Sequence, residues 1–177
     1  MNFDSSEPFE RNHLNIIAEL AKGQYGRIYN ATYKNHPVVV RSSLQYKIQK
    51  EMLVREHQVL QYLQPSNITG IPKVSFSFQS EGKECFIMEK LDTDLTTFLN
   101  FTSEGKLFLD ETLKVALQVL NILRSIHSRG FIHSDIKRRS LMIKTTFEKD
   151  TIYLIDFGFA SRYLTTGKLY MFKKLLK

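Results

Sequence analysis

Two stretches decide the fold that this sequence predicts: FIHSDIKRRSLMI at residues 131–143 and IYLIDFG at 152–158. The spacing between Asp135 and Asp156 leaves room only for a strand, a loop and a strand, so both aspartates and Lys137 surround one short hairpin. One carboxylate can orient a hydroxyl nucleophile, the lysine can neutralise a moving phosphoryl group, and the other carboxylate can hold Mg²⁺ on nucleotide phosphates. Together the stretches predict phosphoryl transfer, whereas either one alone also fits a surface loop or an ordinary turn.

The composition is typical of a globular protein with one domain or two small lobes. The chain has 177 residues, of which 42% are hydrophobic and 24% are charged, enough to bury a core. A single cysteine, Cys85, excludes an internal disulfide framework and is expected to be a buried structural thiol. The polar, acidic start lacks the pattern of a signal peptide, and no apolar run reaches membrane-spanning length. These features predict a cytoplasmic or nuclear protein.

The net charge of +7 favours anionic partners, such as nucleotide phosphates, acidic peptides, nucleic acid or lipid headgroups. Charge alone does not choose among them. The sequence has no zinc-ligand spacing and no ordered interleaving of aromatic and basic residues, so a dedicated nucleic-acid module is not predicted.

Five short segments of the first half have the β-branched and aromatic content of strands and end at Gly, Asn or Pro. They are residues 14–21, 27–33, 37–40, 73–79 and 84–89. Residues 45–63 change to a helical period. The apolar face of this predicted helix consists of Ile48, Met52, Val59 and Leu63.

Glu56 falls within the same inward stripe of the predicted helix. An unpaired buried carboxylate is too costly to keep, so Glu56 is expected to pair with a cation. The natural candidate is Arg41, at the end of the third predicted strand. The alternative is that Glu56 lies at the rim of the stripe, in water.

The second half is predicted to be mainly helical, with a hinge at residues 90–94 and a short helix at 94–101. A long helix is expected from Asp110 to about Arg129, with Asp110 as its N-cap and Gly130 as its C-terminal stop. Its inner face is predicted to carry Leu113, Leu117 and Leu120.

The order of these elements resembles a protein kinase, and the casein kinase 1 family with its vaccinia-related kinase relatives is the most similar branch. The resemblance is carried by GQYGRIY at 23–29, TGIPKV at 69–74, LTTFLNF at 95–101, IHSRGFIHSDIK at 126–137 and IYLIDFGFASRY at 152–163. It implies an α+β, two-lobed kinase-like fold, in which a five-stranded antiparallel N-lobe sheet with one helix precedes an incomplete helical C-lobe.

The resemblance divides the chain into four segments. Residues 1–13 are an N-terminal extension, 14–89 are the N-lobe, and 90–164 are a partial C-lobe with the catalytic loop and the Asp-Phe-Gly segment. Residues 165–177 form a basic amphipathic tail. The tail is expected to cover exposed apolar surface, to contact an anionic membrane or partner, or to be a frayed terminus.

ATP and Mg²⁺ are the cofactors that the resemblance implies, with the nucleotide between the lobes. The nucleotide-binding residues carried over from the family are Ala21, Gly23, Gly26, Ile28, Arg41, Glu56, Met88, Glu89 and Leu91. In the glycine loop, Ala21 replaces the usual first glycine, while Gly23 and Gly26 still permit close approach to phosphate. The resemblance places Met88 behind the adenine, which would bond to the backbone of residues 89–91.

Arg41 replaces the strand lysine that, in the family, bridges the nucleotide phosphates and the helix glutamate, here Glu56. The charge is kept, but a planar fork replaces a compact ammonium, so phosphate alignment is expected to suffer. Lys22 in the glycine loop is either a substitute for the missing lysine or a solvated turn residue.

In the catalytic loop, the resemblance assigns catalytic roles to Asp135 and Lys137 and a structural role to His133, beneath the Asp156 turn. Asp156 is expected to bind Mg²⁺. Ser140 replaces the asparagine that holds a second Mg²⁺, and a hydroxyl is a poorer ligand than an amide carbonyl. Phe157 is expected to pack toward a helix and Gly158 to permit the turn.

Ser134 replaces an arginine that often pairs with a phosphorylated activation segment, so such control is not expected. Arg138 and Arg139 either strengthen the positive field at the phosphates or face solvent. No Ala-Pro-Glu segment follows the Asp-Phe-Gly, so the usual peptide-docking surface is expected to be missing and the long helix to expose apolar surface.

Three functions are compatible with these residues. The first is a kinase-like ATP-binding protein, impaired in catalysis and acting by nucleotide or partner binding, to which Arg41 and Ser140 point. The second is an active serine/threonine kinase that transfers the ATP γ-phosphate to protein hydroxyls, to which Asp135, Lys137 and Asp156 point. The third is a truncated product without a stable fold. The expected partner is a protein substrate or a partner kinase. No recognisable pattern in the sequence identifies this partner or the oligomeric state.

Overall fold

The computed structural model describes residues 8–102, 104–147, 149–165 and 168–169, which divide between two compact units. The first unit contains residues 8–65 and Pro72–Leu91. The second contains Ser66–Ile71 and the described residues from Asp92 onward.

The first unit is a five-stranded antiparallel sheet with one helix, as the sequence predicts. Its strands are β1 (Leu14–Lys22), β2 (Gly26–Tyr33), β3 (His36–Ser43), β4 (Val74–Ser80) and β5 (Lys83–Glu89), in the spatial order β1-β2-β3-β5-β4. The helix α1 (Lys47–Leu63) packs against β3, β4 and β5. The middle strands form the core, since Val38, Val40 and Ile87 are fully buried or nearly so.

The inward face of α1 differs in part from the prediction. Val59 and Leu63 are buried as expected, but Ile48 is 62% exposed and Met52 is only half-buried. The buried stripe is centred on Leu60, and at about 100° per residue Ile48 lies about 120° away from Leu60 around the helix. The apolar period alone therefore placed the centre of the stripe too close to Ile48.

The end of the predicted N-terminal extension packs on the sheet. The Phe9 ring stacks on Phe78 with centroids 4.8 Å apart and lies 5.9 Å from the ring of Tyr33. Arg11, in a 3-10 turn, donates from Nη2 to Ser80 Oγ at 2.8 Å. Residues 8–13 thus cover aromatic side chains of β2 and β4.

The second unit contains two helices and seven short strands within the described residues. The helices are α2 (Leu95–Asn100) and α3 (Leu109–Ser128). The strands are β6 (Thr93–Asp94), β7 (Phe131–Ile132), β8 (Leu141–Thr145), β9 (Asp150–Leu154), β10 (Ser161–Arg162), β11 (Leu164–Thr165) and β12 (Lys168–Leu169). They pair as β6-β8-β9, β7-β10 and β11-β12. Most of the predicted basic tail lies outside the described residues.

Helix α2 begins at a capping aspartate. Asp94 Oδ1 accepts hydrogen bonds from the N–H groups of Thr96 at 2.9 Å and Thr97 at 3.0 Å. Partial burial alone would raise the pKa of Asp94, but the hydroxyl of Thr97 and these backbone donors outweigh it, so the pKa lies below its usual value. Asp94 therefore stays ionised and satisfies two helix N-terminal donors.

The predicted start of α3 is wrong by two positions. Phe108, not Asp110, occupies the N-cap position, and Glu111 accepts the Phe108 N–H at 2.9 Å. Asp110 lies within the first turn and pairs with Lys114 at 3.3 Å. A carboxylate in the first turn is favourable whichever position it takes, so sequence alone did not fix the cap. The predicted stop is confirmed, because Gly130 has φ +82° directly after the C-cap residue.

The prediction that Leu113, Leu117 and Leu120 line the inner face of α3 is wrong. These leucines are 60%, 62% and 63% exposed, and the buried residues of α3 are Ile122 and Ile126. The side of the helix that carries Gln118 and Ile122 faces β9 instead, where Gln118 Oε1 accepts the Ile152 N–H at 3.0 Å. The expectation that this helix exposes apolar surface is confirmed for the described residues.

Segment Ser66–Ile71 belongs to the second unit through Gly70. The Leu154 N–H donates to Gly70 O at 2.8 Å, and Gly70 has φ +90°. A Cβ added at Gly70 would lie 2.4 Å from Ile122 Cδ1 and 2.7 Å from Ile152 O. Only glycine fits both this conformation and this space.

Among the described residues, no helix combines the length and the apolar character that crossing a bilayer requires.

We expect Gly70→Ala to lower the free energy of unfolding by about 2 to 4 kcal/mol, because the methyl group meets backbone and side-chain atoms and the φ angle is strained. Urea denaturation would measure the change. Gly105→Ala is the matched control, since Gly105 also has a positive φ but an added Cβ meets nothing within 4 Å. That control should cost only about 1 kcal/mol of backbone strain. Equal losses for both variants would contradict the packing role of Gly70.

Candidate functional site

The predicted pairing of Arg41 with Glu56 is confirmed. Arg41 Nη1 donates to Glu56 Oε1 at 3.0 Å, and the two side chains are only 15% and 3% exposed. The alternative, a solvated Glu56, is excluded by this burial. Because breaking such a pair leaves one charge buried without compensation, the interaction fixes α1 against β3.

Three of the predicted nucleotide-binding residues form one row across the sheet. Ala21 on β1 opposes Ile28 on β2, and Ile28 opposes Arg41 on β3. Ala21 is exposed, Ile28 is half-buried and Arg41 is mostly buried, so the row descends from the surface toward the Arg41–Glu56 pair.

The turn between β1 and β2 contains the two glycines of the glycine loop, which have different reasons to be glycine. The Gly23 N–H donates to Gly26 O at 2.8 Å. A Cβ at Gly26 would lie 2.3 Å from Ser42 O, so Gly26 is required for close pairing of β2 with β3. A Cβ at Gly23 would meet nothing nearer than 3.9 Å. The backbone at Gly23 is therefore open on its outer side.

Met88, Glu89 and Leu91 are all buried, at 5%, 4% and 5% exposure. Glu89 is tied to the start of β4, because its Oε1 accepts the Lys73 N–H at 3.1 Å and its own N–H donates to Lys73 O at 2.9 Å. Lys90, which lies between Glu89 and Leu91 in sequence, donates from Nζ to Asn30 Oδ1 at 2.9 Å. The side chains thus hold this segment in place.

In the second unit, His133 supports the catalytic loop from within the core, as predicted. It is fully buried, and its Nε2 lies 2.8 Å from Ile155 O. Its Nδ1 accepts the Asp135 N–H at 3.3 Å, and its ring meets Phe157 edge-on at 4.7 Å. Since Nδ1 accepts, Nε2 must carry the proton and donate to Ile155 O. Burial lowers the pKa of His133, which is consistent with this neutral tautomer.

Asp156 follows this anchor directly and has a left-handed backbone, with φ 68° and ψ 55°. It is half-buried, and the preceding Ile155 N–H donates to Ser140 O at 2.9 Å. The left-handed position of the turn is thus Asp156 and not Gly158, which lies in a 3-10 turn without a positive φ. Aspartate tolerates this conformation better than most residues, which explains how the turn forms without glycine there.

Asp135 and Lys137 lie together on the exposed side of the catalytic loop. Lys137 Nζ is 2.5 Å from Asp135 Oδ2, and the side chains are 51% and 29% exposed. The pair combines an acceptor for a hydroxyl proton with a positive charge next to it, which is the chemistry that hydroxyl phosphorylation requires.

Ser140 is fully buried, and its hydroxyl donates to Asp135 O at 3.1 Å. Its proton therefore holds the loop that carries Asp135, and only its lone pairs remain for a metal. Arg138 and Arg139, in the same 3-10 turn, are exposed. Their side chains lie at the surface of the loop next to the Asp135–Lys137 pair.

Within the described residues, no group of three or more His, Cys, Asp or Glu side chains is arranged to hold a metal ion. Mg²⁺ usually takes one or two carboxylates and completes its shell with substrate phosphates and water. A single carboxylate such as Asp156 thus fits a metal that arrives with a nucleotide, and does not fit an all-protein metal site.

Sequence reasoning did not find the cavity of about 750 Å³ in the second unit, between α3, segment Ser66–Ile71 and β9. Its lining is mostly neutral and polar, for example Asn67, Gln118 and Ser125, and contains none of the predicted site residues. No sequence motif signals it, because three separate segments contribute to it.

A sequence profile described as the protein kinase domain matches residues 14–174. A serine/threonine-protein kinase, dkf-2, of Caenorhabditis briggsae is 26% identical over 151 residues, which are 82% of this chain and 12% of the relative. A protein named as a casein kinase I, of Caenorhabditis elegans, is 26% identical over 159 residues, which are 87% of this chain and 46% of the relative. The chain therefore spans less than half the length of either relative.

We expect Glu56→Gln to lower the free energy of unfolding by about 2 to 4 kcal/mol, because it removes the buried carboxylate charge that pairs with the mostly buried Arg41. Chemical denaturation would measure the loss. Glu51→Gln on the same helix is the control, since Glu51 pairs loosely with Lys47 at 3.8 Å and is 61% exposed. The control should change stability by less than about 0.5 kcal/mol. Similar effects for both variants would mean that the Arg41–Glu56 pair contributes no more than a surface pair.

We expect ¹⁵N-detected NMR to show His133 neutral and protonated on Nε2 at neutral pH. The folded-state pKa is lowered, so the unfolded chain binds the proton more readily, and stability is lost as the pH falls below the unfolded value of about 6.5. His133→Gln should reduce the difference in unfolding free energy between about pH 7.5 and about pH 5.5. The exposed His36→Gln should not. An imidazolium at position 133 at neutral pH would contradict the assignment.

Proposed function

On the premise that the chain belongs to the protein kinase family and is similar to its casein kinase 1 branch, we propose that it binds ATP with Mg²⁺, transfers phosphate poorly, and acts through nucleotide or partner binding. Protein kinase domains in general use ATP and a divalent metal. The proposal includes the residues that bind ATP and Mg²⁺ and the reduced activity. We also propose that the protein is located in the cytoplasm or the nucleus.

The observation that carries the proposal is the Arg41–Glu56 ion pair, at 3.0 Å and mostly buried. In active kinases a lysine at this place pairs with the helix glutamate and also contacts the nucleotide phosphates. Lysine presents one compact ammonium to both groups, whereas arginine has a rigid planar fork that favours bidentate geometry. A guanidinium held by Glu56 still pairs with the helix glutamate, but it contacts the nucleotide phosphates less well.

The remaining nucleotide contacts use groups that are intact. The open backbone at Gly23 is suited to phosphate, and the Ala21 and Ile28 side chains offer apolar contact for the base and sugar. Met88 and the backbone of residues 89–91 are assigned to adenine. ATP binding is therefore expected to persist although Arg41 weakens the alignment of the terminal phosphates.

The metal is assigned to Asp156, with Ser140 as a weaker second ligand. When bound, Mg²⁺ neutralises charge on the nucleotide phosphates. Asp156 offers a half-buried carboxylate on a turn that His133 anchors. The Ser140 hydroxyl already donates to Asp135 O, so it can contribute only a lone pair. This limits the second site and is a further reason for weak transfer.

An active serine/threonine kinase is the second candidate, and the Asp135–Lys137 pair favours it. Asp135 would orient a substrate hydroxyl and accept its proton, while Lys137 would stabilise the charge on the transferring group. The loop that carries both residues is held by His133 and Ser140 without help from a nucleotide. The two candidates share the ATP site and differ in the rate of transfer.

We expect ATP with Mg²⁺ to raise the melting temperature, and Asp156→Ala to abolish the part of the shift that depends on Mg²⁺. Arg41→Lys should strengthen the Mg-ATP effect by about threefold or more in apparent affinity, because the ammonium can reach both Glu56 and phosphate. Arg27→Lys is the matched control. Arg27 lies on β2 of the same sheet, pairs with Glu19 at 2.8 Å and is 36% exposed, so the same change there should leave the affinity unchanged.

Transfer of labelled phosphate to an acidic protein separates the two candidates. Weak transfer that rises at least tenfold in Arg41→Lys and disappears in Arg41→Lys with Asp135→Asn is the expected result. Transfer by the unmodified chain at rates typical of kinases, lost in Asp135→Asn, would select the active enzyme. A cooperative melt that no adenine nucleotide shifts would refute ATP binding and both candidates with it.

A further inference from the structure

Helix α3 carries a continuous exposed apolar stripe on the side opposite its buried residues. We call it the leucine face, and it consists of Leu109, Leu113, Leu117 and Leu120, which are 75%, 60%, 62% and 63% exposed. The steps of four, four and three residues keep these side chains on one side of a helix. No residue in the described ranges covers this face. Four adjacent exposed leucines on one helix are typical of a contact surface.

Charged residues of opposite sign lie at the two ends of the leucine face. Asp110 follows Leu109 at the N-terminal end. At the other end Arg124 continues the stripe, four residues beyond Leu120. Both charged residues are exposed, and at about 1.5 Å per residue they lie about 21 Å apart along the helix. The face therefore has Asp110 at one end, whose Oδ2 also pairs with Lys114 at 3.3 Å, and Arg124 at the other end.

This distribution of charge is complementary to itself in the antiparallel direction. A second α3 that crosses near Leu117 brings each Asp110 level with the other copy's Arg124 and each Leu113 close to the other copy's Leu120. A parallel arrangement would place Asp110 beside Asp110 and Arg124 beside Arg124, which is repulsive. Antiparallel packing also opposes the two helix dipoles favourably.

We propose that the leucine face is a homodimer interface, in which α3 of a second copy of this chain packs antiparallel across a two-fold axis near Leu117. A two-fold contact uses the same surface on both copies, so it closes at a dimer and leaves no further leucine face open. The opposite side of α3, which carries Gln118 and the buried Ile122, already packs on β9, so the leucine face is the side of this helix that remains for a partner. The interface is independent of the residues assigned to ATP.

Sedimentation equilibrium of the full chain, over about a hundredfold range of concentration, tests the proposal. The expected result is a monomer–dimer equilibrium without larger species. Leu117→Glu places two carboxylates at the two-fold axis and should raise the dimer dissociation constant at least about tenfold. Leu20→Glu is the matched control, because Leu20 on β1 is 55% exposed but lies in the other unit. It should leave the dissociation constant unchanged.

A charge-reversal cycle tests the orientation, and it also decides the matter if Leu117→Glu does not fold. Asp110→Lys and Arg124→Glu should each raise the dissociation constant about threefold to tenfold, since two like-charged pairs form per dimer. The double variant restores opposite charges and should return to within about twofold of the original value.

Three results would overturn the proposal. One is a chain that stays monomeric over the whole range of concentration. If Leu117→Glu also lowers the melting temperature of that monomer, the leucine face is covered within a single chain. Another is growth to large species that the charge changes do not affect, which indicates nonspecific association. The last is a dimer that survives both Leu117→Glu and charge reversal. Each of these results leaves the ATP assignments untouched.

Discussion

The carboxylate of Glu56 is almost completely removed from water, so its negative charge must be compensated within the first unit. Helix α1 carries this carboxylate against the sheet, where the guanidinium of Arg41 from β3 compensates its charge. Arginine fulfils this structural need at every physiological pH, since it does not lose its proton. In the proposed assignment, the same guanidinium also stands where kinases position a phosphate-binding lysine. Under that assignment, one side chain meets a demand of stability and a demand of function that favour different residues.

The catalytic loop depends on neutral hydrogen bonds instead of a buried charge. His133 connects the Asp135 N–H to Ile155 O, and the Ser140 hydroxyl donates to the Asp135 carbonyl. Every member of this small network has a hydrogen-bond partner, and buried polar networks that are fully satisfied make the surrounding structure rigid. Asp135 and Asp156 therefore lie on a loop that its own hydrogen bonds hold in place.

The sequence predicted the elements and contacts whose cause is local or a single strong constraint. The five strands and the Arg41–Glu56 pair follow from periodicity and from the cost of a buried charge, and the structural role of His133 follows from the resemblance to kinases. It failed where the cause lies in tertiary packing. The period of α3 identifies a leucine stripe but not what faces it, and the need for glycine at Gly70 and Gly26 comes from Ile122 and Ser42, which are distant in sequence. The roles of Ala21, Ile28 and Met88 toward ATP stay predictions.

A short segment of the second unit, Ser66–Ile71, lies within the sequence of the first unit, and this order affects how the chain folds during synthesis. As the chain leaves the ribosome, residues up to Leu91 contain every strand of the first unit, so that sheet can close early. Segment Ser66–Ile71 emerges among them, but the Gly70 carbonyl meets its donor only when Leu154 appears, 84 residues later by the numbering. Domains generally fold in the order in which they are made. In the interval Gly70 depends on water for its hydrogen bond, and the nascent chain passes through a stage in which a completed sheet carries a loop whose partner has not yet been translated.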